Sequence, residues 1–194
     1  VPRKSNSSPK REELIEIASR LFYEQGYGAT GIKQIIEEAE IAKGTFYSHF
    51  SSKEELGLAW LQARHVTWMA WLQTELSPCG NAKEKLLGLF DGLGRWMEES
   101  SYRGCAFINT LAETPDASCP LREEVASHKK ELHELVQGLA EDHFEGSGAD
   151  DARQKGSLIY LLFEGALVET QNFRDLWPVQ VARTETETLL TASP

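Results

Sequence analysis

Apolar residues along this chain recur at every third and fourth position, the period of one face of an α-helix, and nowhere alternate as a strand requires. Leu14, Ile17, Ala18, Leu21 and Phe22 make one such stripe, and Pro9 ahead of it and Gly26 behind it bound a first helix over about residues 9–25. Thr30, a favoured N-cap residue, precedes Ile32, Ile35, Ile36 and Ala39 and predicts a second helix. A turn at 40–42 leads to a short third helix over 43–50. Ser52 and Glu55 have the spacing of a capping box. They open a long helix to about Leu76, which carries Leu56, Trp60, Trp68, Trp71 and Leu72. Further helices are predicted over about 82–100, 105–113, 121–144, 150–174 and 178–191, with breaks at Gly104, at Thr114-Pro115-Asp116, at Gly146-Ser147-Gly148 and at Trp177-Pro178. The expectation is an all-α protein of about nine helices.

Composition refines this picture. With 194 residues, 41% hydrophobic and 26% charged, the chain is long enough for a real core. No run approaches the length of a membrane span and no signal peptide opens the chain. Three cysteines without paired spacing fit a reducing cytoplasm better than a disulfide framework or a zinc site. A net charge of −10 at first argues against a nucleic-acid partner. Its distribution reverses that argument. Residues 1–65 hold nine basic and nine acidic residues, so the whole excess of acid falls in 66–194. Residues 1–8 are polar and basic without periodicity and are expected to be a disordered arm. Lys4, Lys10 and Arg11 are either a solvated tail or a reach toward phosphate or the minor groove.

The second and third helices, joined by a tight turn, have the helix-turn-helix plan, in which the later helix enters the major groove of DNA. At about 100° per residue, Phe46 and Phe50 share the inward face of Lys43-Gly44-Thr45-Phe46-Tyr47-Ser48-His49-Phe50. Gly44, Thr45 and Ser48 face the opposite way, flanked by Lys43, Tyr47 and His49. From Ile41 to Lys53 there are two lysines and no carboxylate, so nothing on this face repels phosphate.

Thr30 through Leu56, above all Lys43 to Leu56, resembles the DNA-binding signature of the tetracycline-repressor (TetR) family, and Leu21-Phe22-Tyr23-Glu24-Gln25-Gly26-Tyr27 is similar to that family's opening. The resemblance is specific over about residues 10–56. It implies an Ω-shaped all-α homodimer that represses transcription and leaves its double-stranded operator DNA when a small molecule binds. It also implies that Lys43, Gly44, Tyr47, Ser48, His49 and Lys53 meet DNA and that Thr30 brings a helix cap to phosphate. Thr45 and Ser48 are then the candidates for base readout, with Tyr47, His49 and Lys53 on the backbone. Three positions depart from the family pattern: Ile36 replaces a small residue, Glu40 a glycine, and Ala42 a serine or threonine. Glu40 is expected to need a left-handed conformation, and Ala42 forgoes a capping bond.

The domain plan that follows is an arm over 1–8, a helix-turn-helix domain over 9–52, and a ligand-binding and dimerisation domain over 53–194. In the last of these, Trp60, His65, Trp68, Trp71, Phe90, Trp96, Met97 and Phe107 supply either an effector pocket or plain core. An apolar or aromatic effector is expected. Cys105, beside Arg103 and at a predicted helix start, is either a sensing thiol or a buried one. Leu158 to Phe163 with Ala166, Leu167 and Val168 form a helix apolar almost all round, which must bury two faces, one of them against a partner copy. Leu158, Leu161, Leu162, Gly165 and Leu167 are the expected dimer residues, with Gly156 and Gly165 permitting close approach. His128 and His133 lie among lysines and glutamates and read as a solvated face rather than metal ligands. No catalytic motif, metal or cofactor site is expected. The competing reading is an all-helical small-molecule-binding protein that keeps the scaffold without specific DNA binding.

Overall fold

The computed structural model describes residues 8–146 and 148–191. Apart from Ser8, the expected N-terminal arm lies outside them. The described residues form nine α-helices and no strand: α1 (Pro9–Gln25), α2 (Ile32–Glu38), α3 (Lys43–His49), α4 (Lys53–Leu76), α5 (Ala82–Glu99), α6 (Ala106–Glu113), α7 (Pro120–His143), α8 (Ala149–Phe173) and α9 (Trp177–Thr191). None is long and apolar enough to cross a membrane. The predicted ends hold to within about a residue. Cys105, expected to open the sixth helix, stands one residue before it.

The helices pack as two compact units. The first comprises the described residues up to Val66 together with Ala106–Ala126, and the second comprises Thr67–Cys105 and Ser127 onward. The first unit is larger than the expected 9–52 domain, because the start of α4, all of α6 and the start of α7 cluster with the N-terminal helices. α4 and α7 each begin in the first unit and end in the second.

In the first unit, Ser8 caps α1 by accepting from the Arg11 N–H at 3.3 Å, and Pro9 occupies the first turn. Leu14, Ala18, Leu21 and Phe22 of α1 are buried with Ile35 of α2 and Phe46 and Phe50 of the α3 segment. The Phe22 ring lies 5.1 Å from both Tyr27 and Trp60, and Phe46 lies 6.1 Å from Phe50.

Thr30 does not cap α2 as its residue type suggests. Gly31 is the cap, without a side-chain bond. The Thr30 hydroxyl is buried and donates instead to the carbonyls of Gly26 (2.8 Å) and Leu21 (3.3 Å), so the turn after α1 captures it before α2 can. The capping box of α4 is also shifted. Ser52 Oγ accepts from the Glu55 N–H at 3.1 Å, but the Glu55 carboxylate reaches past Ser52 to the N–H and hydroxyl of Ser51, each at 2.7 Å. The Ser51 N–H holds the Glu55 carboxyl below its ordinary range.

In the second unit, α5 packs on α8 through Phe90 and Phe163, 5.9 Å apart and edge-on, and on α9, where Arg183 Nε donates to Asp91 at 2.7 Å. The Lys129 ammonium of α7 bridges both oxygens of Glu164 in α8 at 2.8 and 2.7 Å, and both side chains are mostly buried. Gly156, expected to serve a partner copy, serves this chain instead. A Cβ there would stand 3.1 Å from Ala140 Cβ and 3.3 Å from the Gln137 backbone, so the missing side chain brings α8 close to α7. His128 is buried edge-on against Trp68 at 5.3 Å, which corrects its expected place on a solvated face.

Candidate functional site

The α2–α3 segment of the first unit projects its polar side outward. Lys43, Gly44, Tyr47 and Ser48 are exposed, with Tyr47 44% accessible, while Thr45 and His49 are half-buried. Phe46 and Phe50 point the opposite way into the core, with the Arg11 guanidinium 4.7 Å above the Phe50 ring. Ser48 Oγ donates to the backbone carbonyl of Thr45 at 2.7 Å, which ties the Ser48 side chain to its own helix. Lys43 Nζ lies 5.8 Å from the centre of the Tyr47 ring.

Gly44 is not required by the fold. Its φ lies outside the left-handed range, and a Cβ there would meet nothing within 4 Å. A glycine without a steric reason weakens its helix relative to alanine, by about 1 kcal/mol in a helix interior and by less in the first turn, where Gly44 stands. Both ends of the α2–α3 turn carry the expected departures. Glu40 adopts a left-handed backbone with φ 50°, and Ala42 occupies the N-cap of α3 without a side-chain bond. The former costs about 1 kcal/mol in a residue other than glycine.

Lys53 stands at the start of α4. Its Nζ donates to the Gly28 carbonyl at 3.4 Å and sits 4.3 Å over the Tyr27 ring. Burial lowers its pKa from the usual lysine value, and the nearby Glu113 carboxylate opposes that. Glu113, at the end of α6, accepts a hydrogen bond from the Gly28 N–H. Burial also raises the Tyr27 phenol to about 12, reinforced by the negative field of Cys119 and Glu54. The turn after α1 is therefore tied to Lys53 and to Glu113. Sequence periodicity carried no sign of Glu113, because it lies far along the chain on a different helix.

The side chains expected to line an effector pocket or to form plain core fall in both units. Trp60, His65 and Phe107 belong to the first unit, and Trp68, Trp71, Phe90, Trp96, Met97 and Cys105 to the second. Trp60, Phe90, Phe107 and Cys105 are buried, and Trp68 and Trp71 are half-buried neighbours 6.2 Å apart. Of these aromatic residues Trp60, Phe90 and Phe107 are core, while Trp68, Trp71 and Trp96 are half-buried. The second unit holds a partly open cavity of about 580 Å³, and none of those residues lines it. Its walls are Met69, Ala70, Leu72, Gln73 and Leu76 of α4, Ser77 and Cys79 of the following turn, Lys85 of α5, and Leu135 and Leu139 of α7. That volume lies within the range typical of small-molecule sites. The sequence signal that could have found it is aliphatic: Met69, Leu72 and Leu76 share a face of α4, as Leu135 and Leu139 share one of α7.

The expected dimer residues also divide. Leu158 and Leu161 of α8 are 45% and 64% exposed, Leu162 is half-buried and Gly165 is open, whereas Leu167 is buried within its own chain. The exposed set continues with Val168, Phe173, Trp177 and Val181. Leu167 falls on the same face as Phe163 and Ala166, which pack inward, and that removes it from the outward stripe.

A helix-turn-helix unit whose third helix exposes no carboxylate, together with an all-helical second unit containing a ligand-sized cavity, defines a ligand-responsive DNA-binding transcriptional regulator. The family profile of bacterial regulatory proteins of the tetR family matches residues 14–59, and that of the tetracyclin repressor-like C-terminal domain matches residues 82–186. The chain belongs to the tetracycline-repressor family. It is 26% identical over 178 residues to the HTH-type transcriptional repressor NemR of Escherichia coli K12, covering 89% of each chain. It is 28% identical over 138 residues to the HTH-type transcriptional regulator TtgR of Pseudomonas putida, covering 69% of this chain and 65% of that one. Among solved structures, a TetR-family transcriptional regulator from Streptomyces coelicolor superposes with a TM-score of 0.84 at 27% identity, covering 94% of this chain and 89% of that one. Regulators of this family bind operator DNA, dimerise and bind small-molecule effectors.

Proposed function

We propose that this chain is a homodimeric repressor that reads its operator with the outward face of α3 and releases it when an effector fills the cavity of the second unit. Thr45 and Ser48 meet base edges, while Lys43, Tyr47, His49 and Lys53 meet the phosphate backbone. Gly44 admits the close approach of that backbone. Thr30 contributes from inside, holding the turn that precedes α2. The exposed stripe from Leu158 through Leu161 and Leu162 to Gly165, continued by Val168 and Val181, covers the same stripe of a second copy. The chain acts as a regulator and not as an enzyme, in a cytoplasmic setting.

The observation that carries this reading is Gly44, a glycine that the fold does not need, at the centre of an exposed face free of carboxylates. That open space at the outward face of α3 supports a close approach of the DNA backbone. An effector acts here only by binding the DNA-incompetent form better than the DNA-competent one.

The test is binding to fragments of the DNA upstream of the protein's own gene, by fluorescence anisotropy at several salt concentrations. The expected result is specific binding whose affinity falls steeply with salt, and its loss in Thr45→Ala/Tyr47→Ala with the helical circular dichroism intact. A folded dimer that shows no preference for any promoter fragment overturns the proposal in favour of a ligand-binding protein on the same scaffold.

A further inference from the structure

The second-unit cavity is walled mainly by apolar side chains, with Gln73, Ser77 and Lys85 as its polar lining residues. Met69, Leu72, Leu76, Leu135 and Leu139 supply its walls, and the one ionisable amine among the lining residues is Lys85, in the first turn of α5. Lys85 has no ion-pair partner among the described residues. Its helical neighbours explain this: the positions three and four residues away on α5 are Ala82, Gly88 and Leu89, with Asn81 as the cap, and none is acidic. The adjacent carboxylate, Glu84, is committed to the helix start, accepting from the Gly80 N–H at 2.7 Å and from Asn81 Nδ2 at 2.8 Å. A second lining donor, the Gln73 carboxamide, is likewise unpaired among the described residues. An unpartnered ammonium on an apolar wall is an attractive site for an anion, and an aliphatic wall favours a hydrocarbon body.

We infer that the cavity takes an apolar monocarboxylate, its hydrocarbon part against the α4 and α7 leucines and its carboxylate on Lys85 Nζ with Gln73 as a second donor. This inference rests on the reading of the cavity as the effector site and narrows the ligand from apolar to amphipathic and anionic. A purely hydrocarbon or purely aromatic compound would fill the volume but leave the ammonium facing a ligand that cannot pair with it. A cationic ligand would be repelled.

The experiment is isothermal titration of the full-length dimer with laurate and with lauryl alcohol, which share a chain and differ in charge. Wild-type protein is expected to bind laurate about tenfold or more tightly than the alcohol, the difference a charge-assisted hydrogen bond makes. Lys85→Met should bring laurate down to the affinity of the alcohol and leave the alcohol unchanged. Lys85→Arg should restore most of the laurate preference, which separates charge from packing. Equal affinities for the two ligands, laurate binding unaffected by Lys85→Met, or no binding of either ligand would each overturn the inference. Promoter binding measured on the same samples separates the two claims. A chain that binds its promoter but fails these titrations loses the carboxylate alone. A chain that passes them but binds no promoter keeps the carboxylate site and loses the repressor reading.

Discussion

Glu113 accepts a hydrogen bond from the backbone N–H of Gly28, eighty-five residues away in the chain, and so joins the last turn of α6 to the turn between α1 and α2. The same carboxylate supports the charge of Lys53, whose ammonium donates to the Gly28 carbonyl. One exposed acid thus steadies both polar groups of a single peptide turn. Glu113→Ala is expected to destabilise the protein by about 1 kcal/mol, the usual net worth of such a bond. Glu113→Gln, which keeps an acceptor but loses the charge, should fall between the two. Urea denaturation followed by circular dichroism gives the order, and an unchanged midpoint in both variants would show that the bond contributes nothing.

Tyr27 predicts an alkaline transition. Its folded pKa of about 12 lies above the ordinary value of 10.0, so the folded state keeps a proton that the unfolded chain gives up. The associated stability is complete below the ordinary value and disappears as pH rises through the folded one. Because the side chain is only half-buried, solvent screening limits the effect to about 1 kcal/mol. Ultraviolet difference titration should show one tyrosine ionising last, and Tyr27→Phe should remove that step. Between those two pH values the variant should also lose less stability than wild type.

At Ala42 and Gly44, stability and DNA affinity should part company. Ala42→Ser supplies the cap that α3 lacks, in backbone geometry already suited to it, and should add about 1 kcal/mol. It also offers phosphate a hydroxyl, so operator affinity should rise with stability. Gly44→Ala should likewise add stability, at most about 1 kcal/mol, since its new methyl meets no protein atom within 4 Å. Its operator affinity should nevertheless fall. Thermal melts and anisotropy on the same two proteins check the divergence. If Gly44→Ala binds operator as well as wild type, α3 does not approach DNA at that residue.

Leu161 and Leu167 are six residues apart on α8 and should respond in opposite ways. Leu161→Glu places a charge on the exposed stripe and should shift the protein toward monomer in sedimentation velocity, with its helix content retained. Leu167→Ala opens a cavity in the core and should cost about 3 kcal/mol without that shift. A Leu161→Glu protein that remains a dimer would place the interface elsewhere.

Much of this architecture was legible in the residues. The first helix was bounded by Pro9 and Gly26 and the inward face of α3 by Phe46 and Phe50, while the strain at Glu40 followed from the family resemblance, in which a glycine usually stands there. These features are local, and local propensity decides them. The misreadings concern what packs on what. Thr30 has a capping residue's chemistry, but the carbonyls of Leu21 and Gly26 reach its hydroxyl first. α8 is apolar on nearly all sides, so periodicity could not separate outward Leu161 from inward Leu167. The tryptophans of α4 indicated a hydrophobic environment but not whether it was filled. Leucines line the space that remained.

The five tryptophans are unevenly shared between the two units. Trp60 alone lies in the first, buried beside Phe22 with its indole N–H unpaired among the described residues, while Trp68, Trp71, Trp96 and Trp177 lie in the second. The chain therefore carries its own optical partition. With those four changed to phenylalanine, emission comes from the first unit alone, and from an apolar setting that shifts it to the blue. Its red shift under denaturant would time the opening of that unit against loss of helix in the whole chain, with no label attached.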